Sequence, residues 1–184
     1  MTKMLFGIAL VCLEMSLTLE EAFFGLQNVI IGLLPDFAGF ILLIFAHREM
    51  MHENDYFYKN IKFSLWCGTV ALMIYILDLT GLTARGDFQS LLLQMLLLVL
   101  KPICLFRIVR GIRQVGKDYD IDVKGKLLLG VWIAQTVLAV AGFVLAWDLM
   151  ALLHSILSFA FIALVFNFKC VYEEIRPVEE AEEE

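Results

Sequence analysis

The feature that most limits what this chain can fold into is the length of its apolar runs. "SLLLQMLLLVL" (90–100) and "LLLGVWIAQTVLAVAGFVLAW" (127–147) contain no acid and no base. A helix needs ~20 such residues to cross the ~30 Å of hydrocarbon in a bilayer. Six segments approach that length: 3–19, 35–50, 63–82, 88–109, 127–147 and 149–171. The runs are continuous rather than alternating, which excludes the strands of an outer-membrane barrel. The expected fold class is therefore all-α, a polytopic integral membrane bundle of about six transmembrane helices.

Composition agrees. Hydrophobic residues make up 61% of the 184, and charged residues 18%, against roughly half and a quarter in soluble domains. The net charge of −6 misleads, because much of it comes from the end, "PVEEAEEE". That stretch has five glutamates and no base. A segment that cannot bury apolar area reads as a disordered acidic tail over 177–184, leaving one helical domain over 1–176. The remainder is near neutral, which argues against nucleic acid as a partner. Cys12, Cys67, Cys104 and Cys170 are far apart in sequence and lie in or beside apolar runs. They read as small buried apolar residues.

Orientation follows from the bases. With the amino terminus inside, the inner segments hold Lys3, Arg48, Lys59, Lys62, Arg107, Arg110, Arg113, Lys117, Lys124, Lys126, Lys169 and Arg176. The outer segments hold Arg85 alone. The positive-inside rule then puts both termini in the cytoplasm. "LEMSLTLEEA" offers no signal-peptidase site after the first run, so that run counts as a span. Residues 110–126 read as the longest loop, a solvated anchor at the inner leaflet.

Ionisable groups inside a span cost at least ~2.5–3.5 kcal/mol each on insertion scales, so each needs a reason. Lys101 sits in the fourth span before Pro102 and short of the basic cluster at Arg107. A helical side chain leans toward its own N-terminus, here away from the cytoplasm. Ser90, Gln94, Lys101 and Cys104 form a polar stripe on that helix. Glu14 lies eleven residues after Lys3, about 16 Å along a helix. The expected inner site is thus Glu14, Gln94 and Lys101, with a Glu14–Lys101 pair at its centre. A second, outer set is Asp36, Asp78, His154 and Ser158, beside Asp148 and Ser155. His47 and His52 read as headgroup-level residues. On the fifth span Gln135, Ala139, Gly142 and Ala146 share a face of mostly small residues suited to close packing in lipid.

"GLLPDFAGF" (32–40) places a proline and an acid between two apolar stretches. Residues 22–51 as one helix would run about 45 Å, too long for a single span. Pro35 suits the first turn of a helix, so the second span begins there and 22–34 forms an interfacial or re-entrant segment. Asp36 then meets the free N–H groups and positive dipole of a helix start. Gly39 lets a neighbouring helix approach. "LLPDFAGFIL" resembles a segment of small polytopic membrane proteins of Gram-positive bacteria, in which a Pro-Asp-Phe-x-Gly-aromatic motif opens the second span. The resemblance covers residues 33–43 and the spacing of the first two spans. It implies a multi-pass protein of the bacterial plasma membrane and carries no function.

No nucleophile elbow, zinc-protease helix, phosphate loop or nucleotide fingerprint is present. The expectation is a non-enzymatic protein with no cofactor and no metal. Its partners would be the lipid bilayer and a second membrane protein or another copy of itself. It would serve as a partner or regulatory subunit. The alternative is a small permease or proton- or ion-coupled carrier using the Glu14/Lys101 site. A cavity reaching Lys101 favours the carrier, and a sealed ion pair in a dry bundle favours the subunit.

Overall fold

The computed structural model describes residues 1–13, 16–19, 29–32, 35–79, 88–145 and 148–182. Six helices follow in order: α1 (Thr2–Cys12), α2 (Asp36–Glu49), α3 (Asp55–Leu79), α4 (Phe88–Asp118), α5 (Gly125–Leu145) and α6 (Asp148–Glu182). Between α1 and α2 the strands β1 (Ser16–Leu19) and β2 (Val29–Gly32) pair antiparallel, Ser16 opposite Gly32 and Leu19 opposite Val29. Apart from this short ribbon the elements among the described residues are helices. Among the described residues, four helical segments are long and apolar enough to cross a membrane: Asp55–Leu79, Leu91–Asp118, Gly125–Leu145 and Leu152–Ile175.

Each helix packs on its neighbours in the chain, and α6 returns to α1, closing a ring. The core runs through the ring and includes Met4, Ile8, Phe40, Leu43, Phe57, Ile108, Ile112, Phe161 and Phe168. The outward faces are also apolar, with Trp66, Phe88, Val99, Val137, Val144 and Phe159 all exposed. Water tolerates little contiguous apolar surface of this kind, whereas lipid requires it.

The first span differs from the sequence reading. The helix expected over 3–19 stops at Cys12, and Leu13 is extended. The β-branched run Val29-Ile30-Ile31 favours strand and offers residues 16–19 a partner. A helix does begin where Pro35 puts it, but it is shorter than the four helices long enough to cross a membrane. Pro35 is the N-cap of α2, and its carbonyl accepts from the Ala38 N–H at 3.0 Å. With 14 residues, α2 is about 21 Å long, and the 11 residues of α1 reach about 16 Å. Within 22–34, residues 29–32 form β2 and the rest lie outside the described residues.

Glycines set the α1–α2 distance. A Cβ on Gly39 would lie 2.8 Å from a Val11 methyl and 2.9 Å from the Gly7 carbonyl oxygen, and one on Gly7 would meet the Gly39 carbonyl oxygen at 2.9 Å. The two backbones touch, which only glycine at both positions permits.

The supposed loop over 110–126 is mostly helix, because α4 continues to Asp118. The turn after it is tight. Asp120 and Lys124 adopt positive φ, and Val123 is buried against Gly116. The acidic end also departs from expectation, since α6 runs to Glu182. Glutamate is a good helix former, and extending an existing helix avoids the cost of nucleation.

Polar contacts gather one end of the bundle. Glu49, closing α2, pairs with Lys3 and with the amino terminus at 3.4 Å. Glu53 accepts from the Tyr119 hydroxyl at 2.9 Å and from the Tyr172 hydroxyl, joining the α2–α3 turn to α4 and α6. Asn54 caps α3 through the Tyr56 and Phe57 N–H groups and donates to the Gly111 carbonyl at 3.1 Å. The basic segments therefore meet at a common end.

Candidate functional site

Lys101 comes from the middle of α4 and its ammonium lies 2.7 Å from Asp36 Oδ2, at the start of α2. Both side chains are largely shielded, 14% and 19% exposed. Asp36 combines two roles there. It stands in the first turn of α2, where the dipole favours an acid, and it closes an ion pair between two helices that are not chain neighbours.

Beside this pair is a cavity of about 310 Å³. α1 contributes Val11 and Cys12, and α4 contributes Leu98, Lys101, Pro102 and Leu105. α5 lends Gln135, Thr136, Leu138, Ala139, Gly142 and Phe143, and α6 adds Met150 and His154. These positions belong to the second half of α5 and the first turns of α6, so the cavity faces away from the basic end. Its volume lies at the low end of the ~300–1,000 Å³ typical of small-molecule sites. The walls are mostly apolar with a few polar groups, the usual character of such sites.

The small face of α5 explains the space. Gln135, Ala139 and Gly142 were expected to pack tightly against a helix; they line the cavity instead, and a Cβ on Gly142 would reach Met150 only at 3.5 Å. Gln135 is 4% exposed. Its Nε2 donates to Ser158 Oγ at 2.8 Å, and Ser158 donates to the His154 carbonyl at 2.9 Å. Among the described residues its Oε1, buried, has no hydrogen-bond partner. Thr136 donates to the Trp132 carbonyl at 2.9 Å. Trp132 Nε1 donates to the Pro102 carbonyl at 3.0 Å, and its ring packs on Phe106. The proline in α4 is thus braced from α5.

The two expected polar sets merge and lose members. Lys101 from the inner set meets Asp36 from the outer one, while His154 lines the same cavity and Ser158 supports its wall. Glu14, the expected partner of Lys101, lies outside the described residues. Gln94 is exposed and takes no part in the cavity. It is seven residues before Lys101 on α4, nearer the open end of the helix. Asp78, near the end of α3, is not among the lining residues either. Cys104 departs from the supposed stripe by facing α3, where its Sγ lies 3.4 Å from Ser64 Oγ.

A buried polar cluster was missed. His47 is fully buried rather than at the surface, with its Nε2 2.8 Å from Asn60 Nδ2. Asn60 also donates to the Cys104 carbonyl at 3.4 Å. The signal was in α3: Asn60, Ser64, Cys67 and Ala71 recur at helical spacing, and all four are buried. Of the cysteines, Cys12, Cys67 and Cys104 are buried as expected, but Cys170 is exposed. Among the described residues, no group of three or more His, Cys, Asp or Glu could hold a metal ion.

The fold and site together define a helix bundle with, among the described residues, four helices long and apolar enough to cross a membrane, and with a small cavity between helices. Comparison with known proteins adds nothing to that class: no family model, no curated protein and no solved structure matches the chain.

Proposed function

We propose that this chain is a non-enzymatic multi-pass protein of the plasma membrane that acts as a small carrier, holding a solute in the cavity beside Lys101. Both termini lie on the cytoplasmic side in this reading, which the clustering of the basic segments at one end supports. The observation that carries the proposal is the cavity itself. A lysine kept in an apolar bundle costs less as a sealed structural pair than as the wall of an open volume, and Lys101 lines a volume of about 310 Å³. Lys101 and Asp36 form the described pair beside it. The short α2 adds support. If Glu49 lies at the inner interface, Asp36 is about 21 Å in, inside the hydrocarbon. A helix that starts at such a depth beside a polar site is a device of membrane carriers.

The test is flux in liposomes, with a panel of small solutes of either charge under an imposed pH gradient. The wild type is expected to move at least one solute faster than protein-free vesicles, and Ala139→Phe, which fills the cavity, is expected not to. Equal rates for the two proteins across the panel contradict the proposal.

A second reading, a partner or regulatory subunit, draws on α4 and α6. At 31 and 35 residues they run about 46 and 52 Å, so their basic and acidic ends project beyond the hydrocarbon as contact surfaces. Co-purification in mild detergent, with and without residues 176–184, tests it. A partner retained only by the full chain supports it.

A further inference from the structure

We propose that the guanidinium groups of Arg107 and Arg110 bind the phosphate of an anionic phospholipid, with an acyl chain of that lipid lying along Val99 and Ile103 on the same face of α4. The site is separate from the cavity and does not depend on the carrier reading.

The first observation is a pattern along one helix. Leu96, Val99, Ile103, Arg107 and Arg110 follow one another at spacings of three or four residues, which keeps them on one side of α4. Leu96, Val99 and Ile103 are 44%, 57% and 39% exposed, so this side faces out of the bundle. Arg107 is half-buried and Arg110 is exposed. The face therefore changes from apolar to cationic within about one turn, in the order in which a phospholipid presents its chain and its head.

The second is depth. Arg107 stands about 29 Å along α4 from Phe88, close to the ~30 Å of hydrocarbon in a bilayer. The neighbouring helices change character at the same level. Lys62 is the last base of α3 before its apolar part opens at Phe63, and on α5 Lys126 precedes the apolar run from Leu127. Contacts tie these levels together. The Arg107 guanidinium lies over the Phe63 ring, 4.4 Å from its centroid. A Cβ on Gly125, at the start of α5, would meet the Arg113 side chain at 2.8 Å. Arg107 thus sits where hydrocarbon gives way to headgroups.

The third is the posture of the two guanidinium groups. Arg110 lies 4.7 Å from the centroid of Phe106, and Phe106 packs in turn on Trp132. Stacking on a ring engages the flat face of a guanidinium. It leaves the N–H edge, which matches two phosphate oxygens at once. Neither arginine forms an ion pair with a described residue. Bases that only anchor the topology need no such bracing, because the charge of the leaflet attracts them diffusely.

The test is native mass spectrometry of the full chain, released from detergent after titration with phosphatidylglycerol or phosphatidylcholine carrying the same oleoyl chains. The acidic residues of 177–184 are present in every arm. Phosphatidylglycerol is expected to bind about tenfold more tightly than phosphatidylcholine, and Arg107→Gln with Arg110→Gln is expected to remove that preference. Arg107→Lys with Arg110→Lys keeps both charges but loses the planar fork, and is expected to weaken the preference about threefold. Arg48→Gln with Lys169→Gln removes the same charge from α2 and α6 at the same end of the bundle, and is expected to leave the preference intact. Should the α4 glutamine pair fail to fold, the lysine pair decides together with that control. Diffuse attraction acts on every base near the surface alike. Equal losses in the two glutamine pairs, or full preference in the lysine pair, therefore overturn the site. No preference for phosphatidylglycerol in the wild type also overturns it, and leaves the face to an acidic protein partner. Glycerol 3-phosphate, a head without chains, separates the sources of the phosphate. Its displacing phosphatidylglycerol at matching concentration assigns the site to a soluble phosphate and overturns the lipid; its failing to do so supports the lipid.

Discussion

Lys101 was conspicuous in the sequence because a base inside an apolar run demands a partner. Asp36 as a partner was not legible, because it required knowing how far α4 stands from α2; Glu14, the partner the sequence suggested, lies outside the described residues. The described ion pair is Lys101–Asp36 at 2.7 Å. Removing one member of such a shielded pair leaves a stranded charge, which costs about 3–5 kcal/mol where the site is buried. Asp36→Asn is therefore expected to lower the unfolding free energy by about 3 kcal/mol in detergent, while Asp36→Asn with Lys101→Gln recovers most of it. A double variant as unstable as the single one would show that the pair is not the reason these residues coexist. His47 makes the same point from the other side. Its position beside Arg48 suggested a surface residue, yet it faces Asn60 in the core, because the facing helix supplies polar groups at helical spacing.

At the scale of elements, the sequence located the long helices well. Pro35 marks the start of α2, and the apolar runs after residue 55 correspond to α3 through α6 with ends shifted by a few residues or extended. The misjudged parts are those where apolarity does not discriminate. Residues 16–19 continue an apolar run with Leu17 and Leu19, and it is pairing with a β-branched segment further along that makes them strand. α4 and α6 outrun their apolar stretches because helix propensity continues where hydropathy stops. The α1–α2 crossing gives the sharpest test here. With backbone atoms within 2.9 Å of a new Cβ on either glycine, Gly39→Val has no flexible side-chain end to displace. Overpacking of this kind typically costs 1–3 kcal/mol or more, and the expected result is a lower unfolding midpoint with α1 detached from α2. A midpoint equal to that of the wild type would mean that the two helices are not in backbone contact. Trp132→Phe is a milder probe of the α4–α5 contact. It removes the hydrogen bond to the Pro102 carbonyl, worth about 1 kcal/mol net, and keeps an aromatic ring against Phe106.

At the scale of the whole molecule, the ring of helices could not be read from the sequence, and neither could the cavity that it leaves. The sequence did show a small-residue face on α5, but such a face serves a tight contact or an open space equally well. Which one it becomes depends on the side chains opposite, here those of α4 and α6. The common end built from Lys3, Glu49, Glu53 and Asn54 makes a separate prediction about topology. Reporters inserted after Met51 and after Asp122 are expected on the same, cytoplasmic side, and opposite sides would refute the both-ends-inside arrangement.

The central claim is that a space beside Lys101 admits a solute, and labelling of Ala139→Cys in native membranes tests it most directly. A small water-soluble thiol reagent, read site by site by mass spectrometry, is expected to modify position 139 while sparing Cys104, which is fully buried in α4 and serves as an internal control. Position 139 reacting no faster than Cys104, and only after unfolding, would show a dry and sealed bundle and contradict the account.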